Sequence, residues 1–168
     1  MSIDCVPVKE VITIEEPEET GTTFMENALL KARYYAKATN RPCLADDSGI
    51  TVDALNGAPG VYSARYAGHH GDDNANNEKL IRELQGKADR TAHYVCALVL
   101  VYPDGREVTA EGYCDGIVQD EPKGDNGFGY DPYFYVPKFK KTMAELSIEE
   151  KETISHRGRA LRELINKL

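Results

Sequence analysis

Two adjacent carboxylates, Asp46 and Asp47, stand between the apolar run Cys43-Leu44-Ala45 and the pair Ser48-Gly49. Neighbouring residues in a strand point to opposite faces, so both carboxylates share a pocket only where a strand ends and the backbone turns. Ser48-Gly49 has the residue types for such a turn, with Ile50-Thr51-Val52 as the next extended piece. Like charges held together raise each other's pKa. A hard divalent cation such as magnesium offsets that repulsion and also takes phosphate oxygens. The competing reading is a solvated Asx turn. A second stretch, Gly124 to Pro132, carries Phe128 between Gly127 and Gly129. Those glycines let backbone approach a ligand and leave the ring open. An aromatic beside a carboxylate suits a purine: the ring stacks, and Asp131 or nearby backbone reads the base edge. Otherwise this is a hairpin loop with an exposed phenylalanine.

Two further groups carry charge in telling places. His156 and Arg157 follow Ser155, a candidate N-cap. Cations in a first helical turn oppose the helix dipole. They fit if an anion binds the free amides there, or if both side chains bend to nearby carboxylates. Lys31 lies one helical turn from Asn27, either as a solvated lysine or as a phosphate contact. The acidic run Glu15 to Gly21 reads as a solvated loop from which one glutamate can swing in as a metal ligand.

The elements that position these residues follow from pattern. Ile3 to Ile14 alternates loosely and predicts one or two strands. Thr23-Phe24-Met25-Glu26 is a capping box that opens a helix to about Thr39, with Phe24, Ala28, Ala32, Tyr35 and Ala36 as its apolar stripe. Asn40-Arg41-Pro42 stops it. Gly57-Ala58-Pro59-Gly60 reads as a rigid, open loop. Asp72 or Asp73 caps a helix from about Asn74 to Gln85, with Leu80, Ile81 and Leu84 inward and Gly86 as the stop. Ala92 to Tyr102 is a buried strand, Pro103-Asp104-Gly105 a hairpin turn, and Arg106 to Gln119 the returning strand. Gly112 and Gly116 mark expected bulges in it. Phe134 and Tyr135 continue as a strand, and Ser147-Ile148-Glu149-Glu150 is another capping box. The last helix presents Leu161, Leu164, Ile165 and Leu168. This order predicts a mixed α/β domain that is not doubly wound.

Composition narrows the function classes. The chain has 168 residues and a net charge of -8, enough for one domain with a real core and unsuited to non-specific binding of nucleic acid or anionic membrane. An acidic protein that binds a polyanion must do so through a few convergent cations and a metal. The four cysteines, Cys5, Cys43, Cys96 and Cys114, show neither metal-ligand spacing nor disulfide density, and Cys96 reads as a small buried hydrophobe. The opening residues lack the pattern of a secretory leader, so the expected location is cytoplasmic. Walker, nucleophile-elbow and H-E-x-x-H motifs do not occur.

On Thr20–Ala28 with Lys31-Ala32, Ala45–Gly49, Gly57–Arg65, Gly127–Pro132 and Ser155–Gly158, the chain resembles the inosine triphosphate pyrophosphatase family, from about Ile3 to its C-terminus. The resemblance implies one domain over residues 1–168, elongated and two-lobed, with a central mixed sheet and a substrate cleft between the lobes. It implies magnesium-dependent cleavage of ITP, dITP and XTP between the α and β phosphates, and a homodimer. Residue by residue, it implies Asp47 as general base, with Glu19, Asp46 and Asp47 at the metal. It implies Lys31 at the phosphates and Ser48 at the substrate. Phe128, Gly129, Tyr130 and Asp131 form the implied purine loop, with Lys151, His156 and Arg157 holding base and nucleotide. The family pattern also opens with a strand, a Ser/Thr-x-Asn-x-x-Lys loop and a helix, and no stretch between Met1 and Thr20 has that form. The expectation is therefore a short form with an open sheet edge and a weaker hold on triphosphate. The alternative function is a catalytically weak nucleotide-binding or oligomerising protein.

Overall fold

The computed structural model describes residues 4–168. Five strands form one sheet in the order β1-β2-β3-β4-β5, and every described pair is antiparallel. The strands are β1 (Cys43–Val52), β2 (Thr91–Val101), β3 (Glu107–Val118), β4 (Phe134–Val136) and β5 (Lys141–Thr142). The mixed α/β class holds, but the expected mixed sheet is antiparallel. Short hairpin turns join β2 to β3 and β4 to β5, and in the first of these, Tyr102–Arg106, Gly105 takes a φ of 96°.

Among the described residues, five α-helices complete the fold. They are α1 (Val8–Val11), α2 (Phe24–Thr39), α3 (Asp73–Leu84), α4 (Ile148–Ile154) and α5 (His156–Asn166). The α1 turn replaces the strands expected over Ile3 to Ile14, of which Ile3 lies outside the described residues. Among the described residues no strand lies beside it to complete a ladder, so the local Ile12 N–H to Val8 carbonyl bond decides the conformation.

α2 begins as its sequence demands. The Thr23 hydroxyl accepts from the Glu26 amide at 3.1 Å, a cap worth about 1 kcal/mol. The Glu26 carboxylate, however, reaches the Thr22 amide rather than that of Thr23, one residue short of the expected box. Phe24, Ala28, Ala32 and Ala36 pack on Val95, Ala97, Val99 and Val101 of β2. The small alanines let the helix lie close on this face. On the opposite face, Ala160 and Leu164 of α5 cover Cys96, Leu98 and Ala110. Leu161 and Leu168, expected inward, are exposed, and Ala160 takes the inward place.

A third cluster joins Ile50, Val52, Tyr94 and Phe134 to Leu80 and Leu84 of α3 and Ile154 of α4. Gly112 and Gly116 do not bulge, for the β2–β3 register runs unbroken from Thr91↔Ile117 to Val101↔Glu107. Both glycines serve close packing instead: a Cβ on Gly112 would strike the His156 carbonyl, and one on Gly116 would strike the Phe134 ring. The strand thereby receives the first turn of α5 at contact distance.

His93 ties three elements at the surface. Its Nδ1 lies 2.7 Å from Asp115 on β3 and its Nε2 lies 3.0 Å from Asp53, just after β1. The Asp115 hydrogen bond raises the imidazole pKa; burial opposes the rise and the Asp53 charge adds to it. A raised folded-state pKa stabilises the fold below the unfolded value of about 6.5, and that stability is lost as pH rises through the folded value. His93→Gln should therefore lower the melting temperature more at pH 6 than at pH 9. The effect should stay within about 1 kcal/mol because Asp115 is exposed. Equal losses at both pH values would assign the effect to ring packing rather than charge.

Candidate functional site

β1 runs from Cys43 to Val52 without a turn, so Asp46 and Asp47 lie inside a strand. The turn expected at Ser48-Gly49 does not exist, because antiparallel pairing with Leu98 through Val95 holds these residues extended. The two carboxylates consequently leave on opposite faces. Asp47 shares the α2 face and Asp46 the α5 face. They still line one cavity of about 290 Å³, with Glu19, Lys31, Arg65 and Arg157. This is possible because β1 is an edge strand of the described sheet, around which side chains from both faces can reach.

Each face supplies its own cation. From α2, the Lys31 ammonium donates to the Asp46 carbonyl at 2.6 Å and pairs with Glu19 at 2.7 Å. From α5, Arg157 donates to the Asp46 carboxylate at 2.9 Å. Of the two sequence readings for that first turn, Arg157 takes the carboxylate and His156 turns inward. Asp47 has no comparable direct partner: its Oδ2 is buried and accepts no hydrogen bond. Burial pushes its carboxyl up to about 6, with Lys31 pulling against the shift and Glu19 adding to it.

Gly49 sets the cavity wall. A Cβ there would collide with the Ser63 hydroxyl and the Gly60 carbonyl. Its absence lets the 3-10 segment Gly60–Arg65 dock on β1, where Ser63 accepts from the Ile50 amide at 2.9 Å and donates to the Gly60 carbonyl at 2.6 Å. Arg65 reaches the carboxylate cavity from this segment. No role was assigned to it from sequence, although it ends one of the matching motifs.

The second cavity, about 390 Å³, adjoins the first through Ser48 and Arg157, which line both. Phe128, Gly129, Tyr130, Asp131, Lys151 and His156 all line it. The Phe128 ring is 73% exposed and stands 5.2 Å from the Lys151 ammonium. Asp131 is only 4% exposed, and three protein donors occupy it: the Tyr94 hydroxyl at 2.7 Å, Lys151 at 2.8 Å and the Phe128 amide at 3.2 Å. It is therefore spent on holding the loop and does not offer a free edge to a base. The Tyr130 hydroxyl is likewise used, donating to the Ser63 carbonyl at 2.6 Å.

His156 stacks on Tyr94, with centroids 5.1 Å apart and planes 18° off parallel. Burial, aided by the Arg157 charge, pushes its imidazole down to about 4, so it is neutral at pH 7. Its Nδ1 is buried without a partner. Tyr94 was not singled out from sequence. A tyrosine in an apolar strand reads as core, and only the pairing of β2 with β1 and the closure of α5 bring it under the cavity.

The arrangement joins a base-sized cavity with an open aromatic lip to a polar cavity holding cations and carboxylates. It can take an aromatic ring at one end and phosphate oxygens at the other.

Comparison with known proteins agrees with this geometry. The chain is 54% identical to a dITP/XTP pyrophosphatase of Bacillus anthracis over 159 residues, 92% of this chain and 79% of the relative. It is 52% identical to a dITP/XTP pyrophosphatase of Desulforamulus reducens over 168 residues, 97% of this chain and 84% of that one. The solved structure of the Staphylococcus aureus Ham1 protein matches with a TM-score of 0.93 at 49% identity, covering 96% of this chain and 84% of that chain. The model of the Ham1 family matches residues 1–167, and the chain belongs to that family.

Proposed function

We propose that this protein hydrolyses dITP and XTP, and with them ITP, to the monophosphate and pyrophosphate, removing deaminated purine nucleotides from the pool. The observation that carries the reading is the junction of the two cavities at Ser48 and Arg157. A purine fits the first, against Phe128, and its phosphates extend into the second. The relatives' names support the same substrate class. The alternative of a catalytically weak nucleotide binder is not favoured by those relatives.

In this reading Asp47 orients and deprotonates the water that attacks the α phosphorus, as the bond to the β-phosphate oxygen breaks. Its carboxyl, raised to about 6, is ionised at neutral pH yet basic enough to accept the proton. Lys31, Arg65 and Arg157 offset phosphate charge as it shifts to the departing pyrophosphate. Phe128 stacks the base, while Lys151 and the neutral His156 face its edge.

The carboxylates fit a magnesium ion. Glu19, Asp46 and Asp47 are hard oxygen donors on one cavity, and the buried Oδ2 of Asp47 lacks any partner. Among the described residues no three such groups already converge as a ligand set. That suits magnesium, which binds through one or two carboxylates together with waters and substrate phosphates. When bound it would supply charge neutralisation at the phosphates. A homodimer, implied by the family resemblance, and the cytoplasmic location expected from the sequence complete the proposal. No described helix is long and apolar enough to cross a membrane.

Two substitutions test the assignment. Asp47→Asn should abolish pyrophosphate release from dITP while raising the melting temperature at pH 8, since it removes a half-buried, incompletely paired charge. The gain should shrink below about pH 6, where the native carboxyl is already protonated in the folded state. A folded variant that still releases pyrophosphate would remove Asp47 from the chemistry. Phe128→Ala should weaken ITP binding by about 1–3 kcal/mol, the usual worth of base stacking. Its melting temperature should not change, because the ring is mostly exposed. Calorimetric titration with ITP checks this, and an unaltered dissociation constant would rule out stacking on this ring.

A further inference from the structure

The two peptide groups flanking Gly129 are held by one helix. Its amide donates to Asp73 Oδ2 at 3.0 Å, and its carbonyl accepts from Asn77 Nδ2 at 2.9 Å. Asp73 and Asn77 lie one turn apart on α3, on the same face. We propose that they are positioning residues for the base-facing loop, clamping the two peptide groups flanking Gly129 so that the Phe128 ring stands over the cavity. The inference rests on the nucleotide reading above and adds residues that the sequence motifs do not contain.

Asp73 favours the α3 dipole from the first turn, but its hydrogen bond to the loop is not needed to cap the helix. Asp72 caps the helix, accepting from the Ala75 amide, so the Asp73 carboxylate is free for the loop. Asn77 is only 6% exposed, and its Oδ1 has no hydrogen-bond partner. A buried amide that leaves one atom unsatisfied is a poor choice for packing, where an apolar side chain has no such cost. Its orientation follows from its partner, because a carbonyl oxygen accepts only from the Nδ2 side. The clamped residue also needs restraint. Gly127 and Gly129 adopt φ values of 77° and 61°, a region in which glycine retains wide freedom unless hydrogen bonds remove it. The aromatic between them cannot hold itself, being exposed.

The same helix also holds a segment that lines the other cavity. Asn76, adjacent to Asn77, accepts from the Ala67 amide at 2.8 Å and donates to the Ala64 carbonyl at 3.1 Å. Those bonds fasten the segment that carries Arg65. α3 thus sets the spacing between the base wall and a phosphate-side cation, although only Asp73 of these three side chains lines a cavity.

The test uses the full chain with Asp73→Ala, Asp73→Asn and Asn77→Asp. The first readout is amide hydrogen exchange, without ligand, in peptides covering residues 125–131. Asp73→Ala and Asn77→Asp should speed exchange there about tenfold while helix and strand peptides keep native rates. Asp73→Asn retains a side-chain oxygen acceptor and should exchange as the native protein does. The second readout is dITP hydrolysis, where the two impaired variants should raise KM about tenfold with kcat changed less than about threefold. Asp73 is exposed, so Asp73→Ala keeps the test valid even if Asn77→Asp does not fold. Native loop exchange in Asp73→Ala would overturn the clamp, and so would equal impairment of the alanine and asparagine variants. If the native enzyme releases no pyrophosphate from dITP, the nucleotide reading falls, and the exchange experiment still decides the clamp.

Discussion

The side-chain alternation of one edge strand governs this site. β1 sends Asp46 toward the face covered by α5 and Asp47 toward the face covered by α2. Two helices on opposite sides of the sheet can then each deliver a cation to the same edge. Lys31 comes from one and Arg157 from the other, and the carboxylates need no turn to bring them together. The electrostatic result is unequal. Asp46 receives Arg157 directly, whereas Asp47 is half-buried, with a buried oxygen that accepts no hydrogen bond and a raised pKa. Two neighbouring groups of identical chemistry thus acquire different properties from their faces alone.

The aromatic-lipped cavity depends on a different device, the buried carboxylate of Asp131. Its donors come from β2, from α4 and from its own loop. A buried charge is tolerated only when its hydrogen bonds are filled, and removing a partner from such a group costs far more than removing a surface contact. Asp131 consequently links three elements rather than reading a ligand. Tyr94 serves this carboxylate and also stacks on His156, so the floor of the cavity and its neutral imidazole are built as one unit. Glycines permit the close approaches around it: Gly49 admits the Gly60–Arg65 segment, and Gly112 admits the first turn of α5.

Much was legible in the residue order. Thr23, Ser147 and Ser155 announce helices that the structure confirms to within a residue or two, because a cap is a local hydrogen bond between near neighbours. The β2–β3 hairpin follows from an apolar run and a Pro-Asp-Gly turn. Glu19, Lys31, Asp46 and Asp47 line one of the two cavities, Phe128 through Asp131 with Lys151 and His156 line the other, and Ser48 and Arg157 line both. Residue type and spacing marked Asp46, Asp47, Phe128 and Asp131 as candidates, whereas Glu19, Ser48 and Lys151 rested on the family resemblance.

What only the tertiary structure decided is how those groups meet. Ser48-Gly49 has turn composition, yet ten β2 partners hold β1 straight, and long-range ladder bonds outweigh local propensity. Gly112 and Gly116 suggest bulges, but the need for space beneath α5 and Phe134 is invisible until those elements pack. Asp131 beside Phe128 looks available to a base until Tyr94 and Lys151, distant in sequence, occupy it. Sequence by itself determined the local elements and the inventory of reactive groups, since both rest on interactions within a few residues. Burial, face and partner belong to contacts between segments far apart in the chain, and these settled which carboxylate is paired, which is left free and which serves as support.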